Sequence, residues 1–338
     1  MAAQHSSPML SRMTTLFAHE TWFGRDSFPS DWSFATQTLT LVLLAAAVAA
    51  TVAVRVIARF FPGVDVRWLG RCAPFMPFAV RIHLAVSLVG LLSLGYYLSP
   101  AMDLRANAIG IARGRDGDRR DRHGHGLPRP LGGLAAARGG PLGMIEFGFL
   151  PVLQRVDLVG LAVFIVFAGA GRWSADHELG RTADPSLEAA GQAVWALKVC
   201  AGVALIVVAF AEKLAVPAMA LDFLAHHEQF NVARQVGLGW SDLEFARVAG
   251  AIEVLFGLLV ISGALSQACV LIAGIPFNAT LWFFGTSELV GHLPVYGAML
   301  VLLVYGSDPA LRPAVSSLWP FGRRPLQRLR AAQAPGPA

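Results

Sequence analysis

Apolar runs long enough to cross a bilayer, set apart by short polar or arginine-bearing stretches, constrain this chain more than any other feature. A membrane-crossing helix needs about 20 mostly apolar residues. Residues 38–57 and 82–98 qualify, as do 193–215, 243–265, 268–284 and the shorter 292–305. Residues 144–169 are also apolar, but Pro151, Arg155 and Asp157 divide them into two pieces. Only 14% of the 338 residues are charged and 55% are hydrophobic, against roughly a quarter charged in soluble domains. The reading is an all-α, polytopic integral membrane helical bundle. The composition argues against a secreted enzyme, a disordered regulator and a nucleic-acid-binding domain. The net charge of +5 comes from arginines beside the apolar runs, where membrane topology accounts for them.

The first 37 residues have no cleavable leader pattern. They carry Trp22, Phe23, Phe28, Trp32 and Phe34, aromatics suited to a membrane–water interface, so an interfacial segment (1–37) and an uncleaved extra span (38–60) are expected. Cys72, Cys200 and Cys269 form no CxxC pair, and are read as structural. No Walker loop, dinucleotide fingerprint, Gly-x-Ser-x-Gly or HExxH occurs.

The chain also repeats itself. Pro100-Ala-Met-Asp-Leu104 recurs as Pro217-Ala-Met-Ala-Leu221, after Tyr96-Tyr97 and Glu212-Lys213 respectively. Residues 106–112 (ANAIGIA) match 249–255 (AGAIEVL), and Phe147-Gly148, Gly160 and Gly169 match Phe284-Gly285, Gly297 and Gly306. Such order-preserving matches indicate tandem repeats over 80–192 and 193–308, with a basic, Pro-rich cytoplasmic tail at 309–338 expected to lack structure.

One stretch departs from that scheme. Residues 113–138 are rich in Arg, Asp, His and Gly, where the second copy reads FGLLVISGALSQACVLIAGIPF. Reading a GC-rich gene one base late turns many of the arginine codons into Val, Ala or Gly codons, and Asp and His codons into Thr. Two further spans then emerge, so 113–138 is read as out of frame and nine spans as intended. Nine spans also place two basic regions on one side: Arg55, Arg59, Arg67, Arg71 and Arg81, and the tail arginines Arg312, Arg323, Arg324, Arg328 and Arg330. By the positive-inside rule that side is cytoplasmic.

The stretch FAEKLAVPAMALDFL, the Glu-bearing helix AGAIEVLFGLLVISG and the closing VLLVYG resemble the DoxX family of small four-helix bacterial membrane proteins, here apparently duplicated. The resemblance covers residues 80–308 and departs from the pattern at 113–138. It implies a multi-pass protein of the bacterial inner membrane, an accessory or anchoring subunit of a respiratory or oxidative-stress redox complex. It also implies a membrane-associated oxidoreductase as partner and a quinone as candidate cofactor.

Ionisable groups inside a bilayer are costly and need partners, water or a purpose. Glu212, Lys213, Glu253, Asn278, Glu288 and His292 are therefore expected to face one outward-opening cavity for a quinone or small anion. Glu253 would accept protons, Lys213 would pair with it, and His292 would donate to a carbonyl. Alternatively, Glu212 and Lys213 anchor at the interface while Glu288 and His292 face water. His226, His227 and Glu228 add weak metal-ligand character to the neighbouring loop, and His83 is the one haem candidate. The first copy has Gly110 where the second has Glu253, which suits one binding copy and one scaffolding copy. A small-molecule transporter and a pure scaffold are the competing classes.

Overall fold

A computed structural model describes residues 28–104, 132–169, 171–180, 186–284 and 286–320, with backbone alone for 132–139, 175–176 and 282–288. The expected aromatics Trp22 and Phe23, most of the out-of-frame stretch (113–131) and the tail beyond 320 lie outside these residues. Among those described, the chain is mostly helical and has no strand, only a lone bridge between Tyr96 and Asp103.

The helices begin with α1 (Trp32–Thr36), α2 (Thr38–Ile57), α3 (Arg67–Gly70), α4 (Met76–Ser93), α5 (Gly132–Phe147), α6 (Phe149–Leu153) and α7 (Val156–Ala168). They continue with α8 (Ala175–Glu178), α9 (Leu187–Ala209), α10 (Pro217–His226), α11 (Val232–Gln235), α12 (Asp242–Ser262), α13 (Ser266–Phe284), α14 (Thr286–Ser307) and α15 (Arg312–Ser316). Five are long and apolar enough to cross a membrane: α2, the stretch from α3 through α4, α9 with its following turn, α12, and α14 from Leu289. The apolar helices α7 and α13 are shorter.

Local chemistry sets the ends. Ser241 and Glu244 form a reciprocal capping box that starts α12, and Ser186 caps α9 through the Ala189 N–H. Gly263, in the left-handed region at φ 66°, closes α12. Gly148, also at positive φ, separates α5 from α6, and α7 starts only at Val156, so the expected division of 144–169 holds.

In the centre α7 packs along α9 and α4 along α14; α12 then packs on α9, α2 on α12 and α13 on α14. Val80, Leu161, Phe164, Leu197, Val301 and Val304 form the dry middle. Leu41, Val42, Val48 and Val52 of α2 point outward, as lipid-facing side chains do when the solvent is hydrocarbon.

Arg55 and Arg312, one from each basic region, sit at one end of the bundle; the tail arginines beyond 320 lie outside the described residues. Arg55, at the end of α2, donates to the carbonyls of Ser262 and Ser316, both at 2.6 Å, and Arg312 pairs with Asp65. Contrary to the expectation for 309–338, residues 312–318 pack as a strap across this end. Lys198, 0% exposed, donates to the carbonyls of Val315 (2.9 Å) and Ser317, and Trp195 Nε1 to Leu318 (2.9 Å). Four consecutive carbonyls are thus held by three side chains, which is why an Arg- and Pro-rich segment is ordered here. Helix α4 ends and α7 begins at the opposite end, since Gly90 abuts Val290 and Arg155 reaches Gly291.

Candidate functional site

The end opposite the strap carries the charged residues expected to form a site. Helix α9 finishes in a π-helical turn, Phe210–Leu214, closed by the Ala215 N–H donating to the Phe210 carbonyl at 2.8 Å. Wide turns of this kind recur at functional positions. Here the turn carries Glu212, fully buried, and Lys213 toward α12. The Lys213 ammonium lies 3.1 Å from Glu253 Oε1 and 4.0 Å from Glu212 Oε2. One cation thus sits between two carboxylates, with the Glu253 side chain still 33% exposed.

Gly250 makes this approach possible. A Cβ there would fall 2.7 Å from the Leu214 side chain and 3.3 Å from Lys213 Cβ. The guanidinium of Arg247, a buried residue one turn earlier on α12, donates to Gln37 Oε1 at 2.5 Å and lies 4.5 Å above the Phe34 ring. That contact docks α1 and the start of α2 beside the site. The Asp31 N–H bonds the Ala215 carbonyl at 2.6 Å, and Trp32 stacks on Phe210 at 6.1 Å. Trp32 therefore packs on the π turn in addition to any interfacial role.

The other expected members lie elsewhere. His292 is 3% exposed, inside the bundle, edge-on to Phe277 at 5.0 Å, rather than facing water at a turn. Its helix, α14, begins earlier than residue 292, so His292 falls inside the first turns instead of before them. Asn278 sits on an outward face of α13, its amide donating to the Gly274 carbonyl at 2.7 Å. That bond holds its amide against its own helix. Glu288 is placed in α14 by its backbone; its side chain lies outside the described residues.

A second polar group neighbours His292. Arg155 and Asp157 are both buried, with Nε and Oδ1 3.4 Å apart, and Arg155 Nη1 approaches the Gly291 carbonyl at 3.4 Å. These two residues broke an apolar run in the sequence, and a pair of opposite charges two apart was the available signal for them. Lys198 was passed over because a single cation barely dents a long apolar window. Its role depends on carbonyls 117 and 119 residues away.

The loop after α10 holds His226 against Asp222 (3.7 Å), and His227 between Phe223 and Phe230 at 5.0 and 6.1 Å. Among the described residues no three His, Cys, Asp or Glu side chains converge as a metal group. Partial burial, and then the neighbouring His226, hold the His227 imidazole below its ordinary pKa. The unfolded loop therefore binds the proton first. Local stability is present above the unfolded value of about 6.5 and falls as pH drops through it. Amide exchange across residues 223–231, corrected for intrinsic rate, is expected to speed up between about pH 7 and pH 5. The acceleration should be absent in His227→Phe.

Searches of protein-family models, of curated proteins and of solved structures found no match to this chain.

Proposed function

We propose that this chain is a DoxX-like accessory subunit of a redox assembly in the bacterial inner membrane, built from two related four-helix units. Its strap end faces the cytoplasm, and a quinone-facing proton site lies at the π turn of α9. Three kinds of support converge on this reading.

The duplication is supported by burial. Shifting α4 and its lead-in by 117 residues carries buried Ala73, Met76, Val80 and Ser87 onto buried Ala190, Ala193, Leu197 and Ala204 of α9. Shifting α7 by 137 carries buried Leu161, Phe164 and Ala168 onto buried Ala298, Val301 and Tyr305 of α14. Contacts correspond as well: Gly160 lies against Cys200, and Gly297 against His83, the position equivalent to Cys200. Each unit's first helix thus packs on the other unit's last helix. Orientation is supported by the arginines gathered at the strap end, the side that positive charge marks as cytoplasmic.

The observation that carries the site is the 3.1 Å Lys213–Glu253 bridge with Glu253 still partly accessible. Two carboxylates around one ammonium leave a net negative charge when all are ionised, so the cluster attracts protons and hydrogen-bond donors and repels anions. That favours a quinone over a small anion. The residues present fit such a head group: Lys213 is a donor for a carbonyl, Glu253 an acceptor for a hydroxyl, and apolar side chains surround both. A bound quinol supplies two electrons and two protons to the assembly. Glu253 takes up a proton, Lys213 holds the carboxylate in place between transfers, and buried Glu212 lies on the other side of the Lys213 ammonium.

Glu253→Gln, assayed with a photoreactive quinone in native membranes, is expected to bind at least about tenfold more weakly, the cost of losing one charged hydrogen bond. Unchanged binding, with unchanged assembly of the co-purifying oxidoreductase, would leave the chain as a scaffold.

A further inference from the structure

We propose that the connection between α2 and α4 is a docking platform for anionic phospholipid head groups, separate from the π-turn site. From Arg59 to Arg71 the chain carries three arginines, all exposed, and one acid, Asp65. Arg312 from the strap engages that acid, and Asp308, which packs on Gly70, accepts from the Ala310 N–H, so with Arg59, Arg67 and Arg71 the platform keeps a net positive charge. Arg67 and Arg71 stand one helical turn apart, the Arg71 N–H bonding the Arg67 carbonyl at 3.1 Å, and so share a face.

Large aromatics alternate with these cations. Phe60 is 75% exposed, Phe61 68% and Trp68 69%, whereas Leu69 of the same short helix turns inward against the core. Aromatic rings that belong at the depth of head groups, interleaved with guanidiniums that pair with phosphate in a planar fork, match an anionic lipid surface. A soluble acidic protein would leave the exposed rings of Phe60, Phe61 and Trp68 without an apolar counterpart.

The platform is also built to hold its shape. Gln267 on α13 grips both backbone groups of Val64, accepting from its N–H at 2.8 Å and donating to its carbonyl at 2.9 Å. It donates as well to Ser307 Oγ at 2.8 Å. Gly63, at φ 120°, is where the chain bends into that grip, and a Cβ there would strike Gln267. A loop pinned from two helices while its aromatics and arginines project outward has its binding groups arranged before a ligand arrives.

The test uses the full chain, purified in mild detergent and exposed to equimolar phosphatidylglycerol and phosphatidylcholine, with retained lipid counted by native mass spectrometry. The wild type is expected to keep phosphatidylglycerol in large excess. Arg59→Gln, Arg67→Gln and Arg71→Gln should each lower that preference about fivefold, and the triple variant about a hundredfold. Circular dichroism should be unchanged, because the three side chains are exposed. Phe60→Ser with Phe61→Ser should weaken retention of both lipids together. Equal retention of the two lipids by the wild type, or a preference that survives the triple variant, overturns the proposal. So does inorganic phosphate binding at the arginines without any lipid preference, which would make this a site for a soluble anion.

Discussion

Asp157→Leu is expected to destabilise the bundle by about 3–5 kcal/mol, the cost of leaving a buried cation without its carboxylate. Arg155 and Asp157 sit within a single turn at the start of α7, both buried, and Arg155 also ties that turn to the Gly291 carbonyl of α14. Removing the carboxylate leaves the guanidinium buried at that end of the bundle with neutral oxygen partners. A double replacement, Arg155→Met with Asp157→Leu, should recover most of the loss, because apolar side chains of similar volume often serve a buried pair's place equally well. Equilibrium unfolding in mixed detergent micelles measures all three proteins. If Asp157→Leu unfolds within about 0.5 kcal/mol of the wild type, the pair does not support the α7–α14 contact.

The second large effect concerns the crossing of α9 and α12. Gly202 and Gly257 face each other so closely that a Cβ on Gly202 would lie 2.4 Å from the Gly257 carbonyl, and one on Gly257 2.7 Å from the Gly202 carbonyl. Backbone is against backbone, and no side chain can move aside. Gly202→Val is expected to cost about 1–3 kcal/mol in overpacking and to part the two helices that carry Lys213 and Glu253. Quinone binding should fall together with stability. Gly191→Ala is the control on the same helix: its Cβ would meet nothing nearer than Ala314 Cβ at 3.8 Å. There the gain in helix propensity, about 1 kcal/mol, should make the protein slightly more stable. A Gly202→Val protein with wild-type stability and binding would mean the crossing is not what sets the Lys213–Glu253 distance.

Much of the architecture was legible because the bilayer imposes length and composition on each crossing. Helix α2 runs over the residues expected, 38–57. The next span is displaced toward the N-terminus, Met76–Ser93 rather than 82–98, for two local reasons. Pro74 and Pro77 stand at the first helical positions, where proline starts a helix without losing a bond. At the far end Gly95, at φ 89°, turns the chain out of the helix, so the apolar residues up to Leu98 belong to a turn. The Glu212, Lys213 and Glu253 grouping was legible as charges that a span must reconcile. The placement of His292 was not, since apolar periodicity says little about how far a helix extends beyond a Pro such as Pro294. Nor was the strap, because its bonds are made by main-chain oxygens that every sequence possesses.

That reliance on main-chain oxygens bears on how the protein is made. Arg55 belongs to the first long apolar helix of the chain, and one of its acceptors, the Ser316 carbonyl, follows 261 residues later. Lys198 likewise waits for Val315 and Ser317. Until translation has passed those positions, both cations lack the strap oxygens that hold them in the finished bundle, a costly state within hydrocarbon. The strap thus ties an early helix to a segment made 261 residues later, so the order of synthesis and the order of packing are not the same.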